Sequence, residues 1–179
     1  MSQPQIPNHV KLIASIFSVE NSLIDDVMVK LTEKFGSIDW ASPELFFDRT
    51  KYYAREMGWP LHRRFISFLE LIPAEELVQI KLATNEFEKE YLDHGNRHIN
   101  IDPGYISAER LILATGKNYI HRVYLTKGIY ADLTLLFKKG GFRPVEWTYP
   151  DYANSDIIDY FNEIRKTYMA QIMEKKRLD

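Results

Sequence analysis

The sequence predicts an α+β fold: a ferredoxin-like β-α-β-β-α-β first part, an antiparallel β-rich second half and a C-terminal helix, in a single domain over residues 1–179. Three observations predict it. Before Asp102, short β-branched apolar segments alternate with two amphipathic helical stripes. After it, strand-like segments follow one another through tight, glycine-containing connections. Residues 154–176 then carry one long stripe of helical period. The order of the first part is the split βαβ pattern, with two helices on one face of an antiparallel sheet.

The elements follow in order. Val10–Phe17 is apolar on both alternating faces, as an interior strand covered on both sides must be. Ser22 and Asp25 offer a capping-type start to a helix whose apolar face is Leu23, Ile24, Val27, Met28, Leu31 and Phe35. Gly36 stands where a left-handed C-cap is wanted. One strand is expected within Leu45–Tyr53 and a clearer one over Arg64–Leu69, with Gly58-Trp59-Pro60 connecting them. Pro73 suits the first turn of a second helix, and Glu75 and Glu76 suit its positive end. Leu77, Ile80, Phe87 and Tyr91 form its stripe, and Gly95 marks its stop. Arg97–Asp102 reads as a strand, closed by a type II turn at Asp102-Pro103-Gly104-Tyr105. Strands are expected over Arg110–Thr115, Ile120–Thr126 and Ile129–Phe137, and Lys138-Lys139-Gly140-Gly141 turns into Phe142–Trp147. The final helix begins near Asn154 or Ser155 and buries Ile157, Phe161, Ile164, Tyr168 and Ile172. Lys175, Lys176 and Arg177 suit its negative end.

Composition narrows the function classes. The chain has 45% hydrophobic and 27% charged residues, an ordinary globular balance that sustains one core without staples. It has no cysteine, which excludes disulfides, thiolate catalysis and Cys-based zinc or iron–sulfur sites. A net charge of −2 disfavours nucleic acid as a partner, because proteins that live on a phosphate backbone are usually basic. The N-terminus lacks a signal-peptide pattern, and no apolar run approaches the roughly 18 residues of a bilayer span. A soluble, cytoplasmic protein that makes no membrane contact is the expectation.

Strand alternation places the polar residues. In Arg97–Asp102 the two isoleucines share one face, and His98, Asn100 and Asp102 share the other. In Ile129–Leu135 the same split groups Tyr130, Asp132 and Thr134. A sheet with one wet face would show the same alternation. The Thr115-Gly116-Lys117-Asn118 turn, followed by His121 and Arg122, gathers two cations and an imidazole that a phosphate or carboxylate could use. Ordinary charges on a solvated hairpin are the competing reading. In a regular strand His121 and Arg122 face opposite ways, so a shared ligand requires a strand end or a bulge. Gly116-Lys117 lacks the flanking residues of a P-loop, and no nucleophile elbow or dinucleotide fingerprint is present.

Six segments carry a family resemblance: Thr50-x-Tyr52-Tyr53-x-x-Glu56-Met57-Gly58, Asn100–Tyr105, Leu113-Ala114-Thr115-x-Lys117, His121–Leu125, Gly128–Asp132 and Thr148–Tyr152. Together they resemble the prokaryotic domain-of-unknown-function family four-four-one-six over essentially the whole chain. Val123 stands where that pattern has Ile, and Asp132 where it has Glu. Some members carry the label "GTP-binding protein", for which this sequence has neither a P-loop nor an Asn-Lys-x-Asp. The resemblance implies a shared site built from Arg97, Asn100, Asp102, Lys117, His121, Arg122, Tyr130 and Asp132.

The leading expectation is a pocket for a small anionic metabolite or nucleotide, such as a phosphate, on the polar face of the sheet. Lys117 and Arg122 would hold the anion with help from Arg97, while Asn100, Tyr130 and Thr134 would line the pocket. His121 with Asp102 or Asp132 would supply acid–base or hydrolytic chemistry. No cofactor motif points to redox. A metal on Asp102, Asp132 and Glu56 is the weaker variant. The alternative is a non-catalytic module binding RNA or a protein through the sheet face.

Overall fold

A computed structural model of the chain describes residues 1–47 and 57–178. Its strands are β1 (Val10–Ser18), β2 (Ile38–Ala41), β3 (Leu45–Phe47), β4 (Leu61–Ile72), β5 (Leu92–Asp93), β6 (Asn96–Arg97), β7 (Ile99–Ile106), β8 (Arg110–Thr115), β9 (Arg122–Thr126), β10 (Ile129–Lys138) and β11 (Gly141–Pro144). The helices are α1 (Asn21–Phe35), α2 (Leu77–Glu90, entered through a 3-10 turn at Ala74–Glu76) and α3 (Ser155–Leu178). Among the described residues the main sheet runs β11-β10-β8-β7-β1-β4-β2, with β9 also on β10 and β3 also on β4. All its pairs are antiparallel. The fold is α+β, and no helix among the described residues is long and apolar enough to cross a membrane.

Both faces of the sheet are covered. Leu12, Ala14 and Ile16 of β1, with Ile66, Phe68, Ile99 and Ile101, pack under Ile24, Val27 and Leu31 of α1 and Ile80 of α2. The first turn of α2 continues this layer over β8 and β10 through Leu77, Val78, Ile112, Ala114 and Ile129. On the opposite face Ile13, Phe65, Ile106, Leu111, Leu113 and Leu135 meet Ile157, Phe161, Ile164, Tyr168 and Ile172 of α3. The position of β1, central in the sheet and covered twice, explains why its sequence shows no polar face.

The elements differ from the sequence reading in several places. Asp102–Tyr105 is not a turn but the middle of β7, where Ser15 faces Asp102 and Ala14 faces Pro103. Local turn chemistry lost to sheet pairing because Gly104 answers a different need: a Cβ there would lie 2.3 Å from the Ile112 carbonyl oxygen. The α1 helix starts at Asn21 behind Glu20, with no side-chain cap, so Ser22 and Asp25 lie inside its first turns. Gly95 does not stop α2, which ends at Glu90; it shares with His94 the positive φ angles (84° and 48°) of the tight β5–β6 turn. The sequence reading missed β2, a four-residue strand broken by Asp39. The expected strand within 45–53 is present at Leu45–Phe47, and the remainder of it lies outside the described residues.

Candidate polar site on the helix α3 face

One cluster forms where β9 meets β10. Arg122 opens β9 in register with Asp132, and His121 stands just ahead of the strand, free of its alternation. Both side chains therefore reach one carboxylate: Arg122 Nε donates to Asp132 Oδ2 at 2.8 Å, and His121 Nε2 lies 3.3 Å from the same oxygen. The cluster is dry, with side chains of His121, Arg122 and Asp132 only 7%, 8% and 5% exposed. The imidazole stacks on Trp147 (4.9 Å, 12°), whose Nε1 donates to the Leu133 carbonyl at 2.7 Å. Tyr119 packs against the same imidazole at a steep angle. Arg122 also donates to the Tyr149 hydroxyl at 2.7 Å and to the Lys117 carbonyl at 3.0 Å. Burial works against the charge of Arg122, but its bond to Asp132, aided by Tyr149, outweighs this and holds the pKa above the ordinary guanidinium value. Nδ1 of His121 is buried without a hydrogen-bond partner. A ring whose Nε2 proton points at Asp132 keeps a lone pair at Nδ1, the arrangement of an oriented acid–base imidazole.

A second cluster surrounds β7. Asn100 donates to Asp102 Oδ2 at 2.8 Å and accepts from Arg97 at 2.9 Å. Beyond Gly104 the strands β7 and β8 cease to pair, and α2 fills the gap with charged side chains. Glu88 Oε1 accepts the Ile101 N–H at 2.7 Å, and Lys81 Nζ donates to the Ile101 carbonyl at 2.8 Å. Lys81 also lies 3.7 Å from Asp102. In an antiparallel strand alternate residues offer both backbone groups to the same side, so Pro103, lacking an N–H, faces this gap too. Burial, joined by the negative charge of Asp102, raises the pKa of Glu88 against the pull of Lys81, Ile101 N–H and Arg97. Across β1, Arg63 Nε donates to Ser15 at 2.7 Å and Nη1 pairs with Asp151. Burial opposes the Arg63 charge as well, and the fields of Tyr152, Asp151 and Asp102 more than offset it.

Register puts Asp132 and Asp102, the strand carboxylates of the two clusters, on one face. Gly104, Leu113 and Asp132 stand in line across β7, β8 and β10, and Leu113 packs in the α3 core. Asp102, two residues from Gly104, shares that side. The segment between β11 and α3 crosses the same face: Trp147 and Tyr149 contact the first cluster, and Asp151 contacts the second.

The expected site residues therefore fall into two neighbouring groups. His121, Arg122, Asp132 and Thr134 stand together, with Thr134 Oγ1 3.2 Å from the Asp132 carbonyl. Arg97, Asn100 and Asp102 form the other group. Asp132, rather than Asp102, is the carboxylate facing His121. Tyr130 packs on Tyr124 (5.2 Å, 62°). Lys117 meets the first cluster through its carbonyl, and its side chain is exposed. Glu56 lies outside the described residues, and among those described no three His, Asp or Glu side chains gather to hold a metal. Sequence reading missed Lys81, Glu88, Arg63, Trp147, Tyr149 and Asp151. Lys81 and Glu88 had a usable signal, since Leu77, Lys81, Thr84 and Glu88 share the spacing of one helix face.

Compared with known proteins, the chain matches one family model, Domain of unknown function (DUF4416), over residues 8–168. No curated protein and no solved structure matches it.

Proposed function

We propose that this chain, which belongs to the DUF4416 family over most of its length, binds a small anionic metabolite or nucleotide on the α3 face of its sheet. The observation that carries this reading is His121, oriented by Asp132 through one nitrogen and left without a partner at the other, beside the guanidinium of Arg122. A water, a hydroxyl or a protonated phosphate oxygen brought to Nδ1 would give its proton to that lone pair, which suits acid–base or hydrolytic turnover. Arg122 and Lys117 supply positive charge, and Tyr149 and Asp151 tie this cluster to the one around Asp102. We also read the first part as ferredoxin-like. The order β7-β1-β4-β2 and the shared face of α1 and α2 support that reading.

Thermal melts with inorganic phosphate, pyrophosphate, sugar phosphates and nucleotides, with and without magnesium, test the binding. One ligand class should raise the melting temperature, by about 2.7 kcal/mol of stabilisation at a hundredfold excess over Kd. Lys117→Ala combined with Arg122→Gln should abolish the shift, and His121→Ala should keep binding but lose any turnover. If no ligand shifts the native chain, and His121→Ala and Asp132→Asn alter stability alone, the reading is wrong. The other reading, a non-catalytic module for RNA or a protein, draws on the exposed rings of Tyr119, Tyr124 and Tyr149. RNA binding would weaken steeply with salt, unlike pocket binding of a small ligand.

A further inference from the structure

We infer that the anion taken up beside Arg122 is the phosphate of a nucleotide, whose base stacks on the open face of Trp147. This inference rests on the anion-site reading above and names the class of its ligand.

Trp147 is pinned without being buried. Strand β9 covers β10 as far as Asp132 and β11 resumes at Leu135, which leaves the Leu133 and Thr134 carbonyls to be met by something other than a strand. Trp147 Nε1 donates to the first at 2.7 Å, and Thr148 Oγ1 donates to the second at 2.6 Å. Closing that window requires two donors but no ring. The donor is nevertheless an indole, with the His121 imidazole stacked on one face at 4.9 Å. One face is thus covered by His121 and the N–H edge by β10. The exposed part of Trp147, 38%, belongs to the opposite face and the outer edge. A ring face held in one orientation is a stacking platform, because a flat base gains contact there at little ordering cost.

Positive charge stands beside the platform. Arg122 shares an Asp132 oxygen with His121, the residue stacked on Trp147. Its printed bonds to Asp132, the Lys117 carbonyl and the Tyr149 hydroxyl use three of the five guanidinium N–H groups and leave two for a phosphate oxygen. A base on the open indole face would lie roughly 8 Å from the imidazole ring, one stacking distance beyond the indole. A ribose with one or two phosphates spans that distance, so one nucleotide can meet both the ring and the guanidinium. Inorganic phosphate and sugar phosphates have no ring to offer the indole. Stacking reads ring area rather than the hydrogen-bonding edge, so adenine and guanine should serve alike and pyrimidines less well.

Titrations of the full native chain with ADP, GDP, CDP, ribose 5-phosphate and pyrophosphate test it, followed by tryptophan fluorescence and by melting temperature. ADP and GDP should bind about tenfold or more tightly than ribose 5-phosphate or pyrophosphate. They should also quench the emission that is lost in Trp147→Phe, and pyrophosphate should not. Trp147→Leu should collapse the preference for ADP over ribose 5-phosphate, and Trp147→Phe, which keeps a ring, should retain part of it. Should the leucine variant fail to fold, the native titrations decide alone. Pyrophosphate bound as tightly as ADP overturns this inference and leaves the anion site standing. No binding by any of the five removes both. A short single-stranded RNA bound more tightly than ADP overturns the inference in favour of the RNA module.

Discussion

Gly104 is held by space rather than by backbone freedom. A Cβ at that position would stand 2.3 Å from the Ile112 carbonyl oxygen and 2.7 Å from Leu113 Cδ2, and the first of these is backbone that cannot swing aside. Alanine for glycine in an unstrained strand usually stabilises by about 0.4–1 kcal/mol through the unfolded chain. Here Gly104→Ala should instead cost about 1–3 kcal/mol, as overpacking does. The sign of the shift in the urea midpoint decides between the two. Glu88 makes a different prediction at the same scale. Its pKa in the folded chain lies above the ordinary 4.5, so the native state keeps a proton that the unfolded chain has lost. The stability this group contributes is complete below pH 4.5 and is lost as pH rises through the folded value. Glu88→Gln can still accept the Ile101 N–H but cannot titrate. The variant should therefore gain stability relative to the native chain as pH rises from below 4.5 towards neutrality. Parallel urea midpoints that keep a constant difference across that range would contradict it.

Between elements, the parting of β7 from β8 is the feature on which the second cluster depends. The strands pair at Gly104–Ile106 and then diverge, and α2 inserts Lys81 and Glu88 to occupy both backbone groups of Ile101. Lys81→Met would strand the Ile101 carbonyl and leave Glu88, 9% exposed in its side chain, without its buried cation. A cost of about 3–5 kcal/mol is expected for breaking such a pair, measurable as a drop in the denaturation midpoint. This parting was not legible in the sequence. Pro103-Gly104 carries a strong local turn signal, and only the approach of β8 reveals that the glycine serves packing. The helices were far more legible. The stripe of α3, Ile157, Phe161, Ile164, Tyr168 and Ile172, is buried as its period requires, because a surface helix with one apolar side has a single way to face the core. For the candidate site, residue types were readable and partners were not. His121 and Arg122 stood out as an imidazole and a cation after a turn, and Asp132 as part of the polar row of its strand, yet their meeting depends on where β9 begins and on its register with β10. Trp147 reads in the sequence as the end of a strand and Tyr149 only as part of a family motif, because nothing in the sequence of this segment says which sheet face it crosses.

In the whole molecule, the sheet separates two apolar layers, and the α3 layer also positions the polar site. Phe161 is fully buried in that layer, edge-on to Phe65 (5.3 Å, 77°) and stacked on Tyr152 (5.7 Å, 5°). Tyr152 immediately follows Asp151, which pairs with Arg63, and lies three residues beyond Tyr149, which holds Arg122. The segment spanning the polar face is thus anchored at one end by an aromatic stack on α3. Phe161→Ala should cost about 3–5 kcal/mol, a fall in melting temperature of roughly 6–20 °C for a chain of this size. It should also release Tyr152, and with it the grip of Tyr149 on Arg122. Phe161→Leu refills most of the volume without the stack, so it separates the two effects: melting should largely recover. Fluorescence of Trp147, read against a Trp147→Phe background to subtract Trp40 and Trp59, reports the state of the segment. The emission of Trp147 should shift towards that of a solvent-exposed indole in Phe161→Ala under folded conditions. An unchanged Trp147 signal in a folded but destabilised Phe161→Ala chain would mean that the helix layer stabilises the sheet without positioning the polar face.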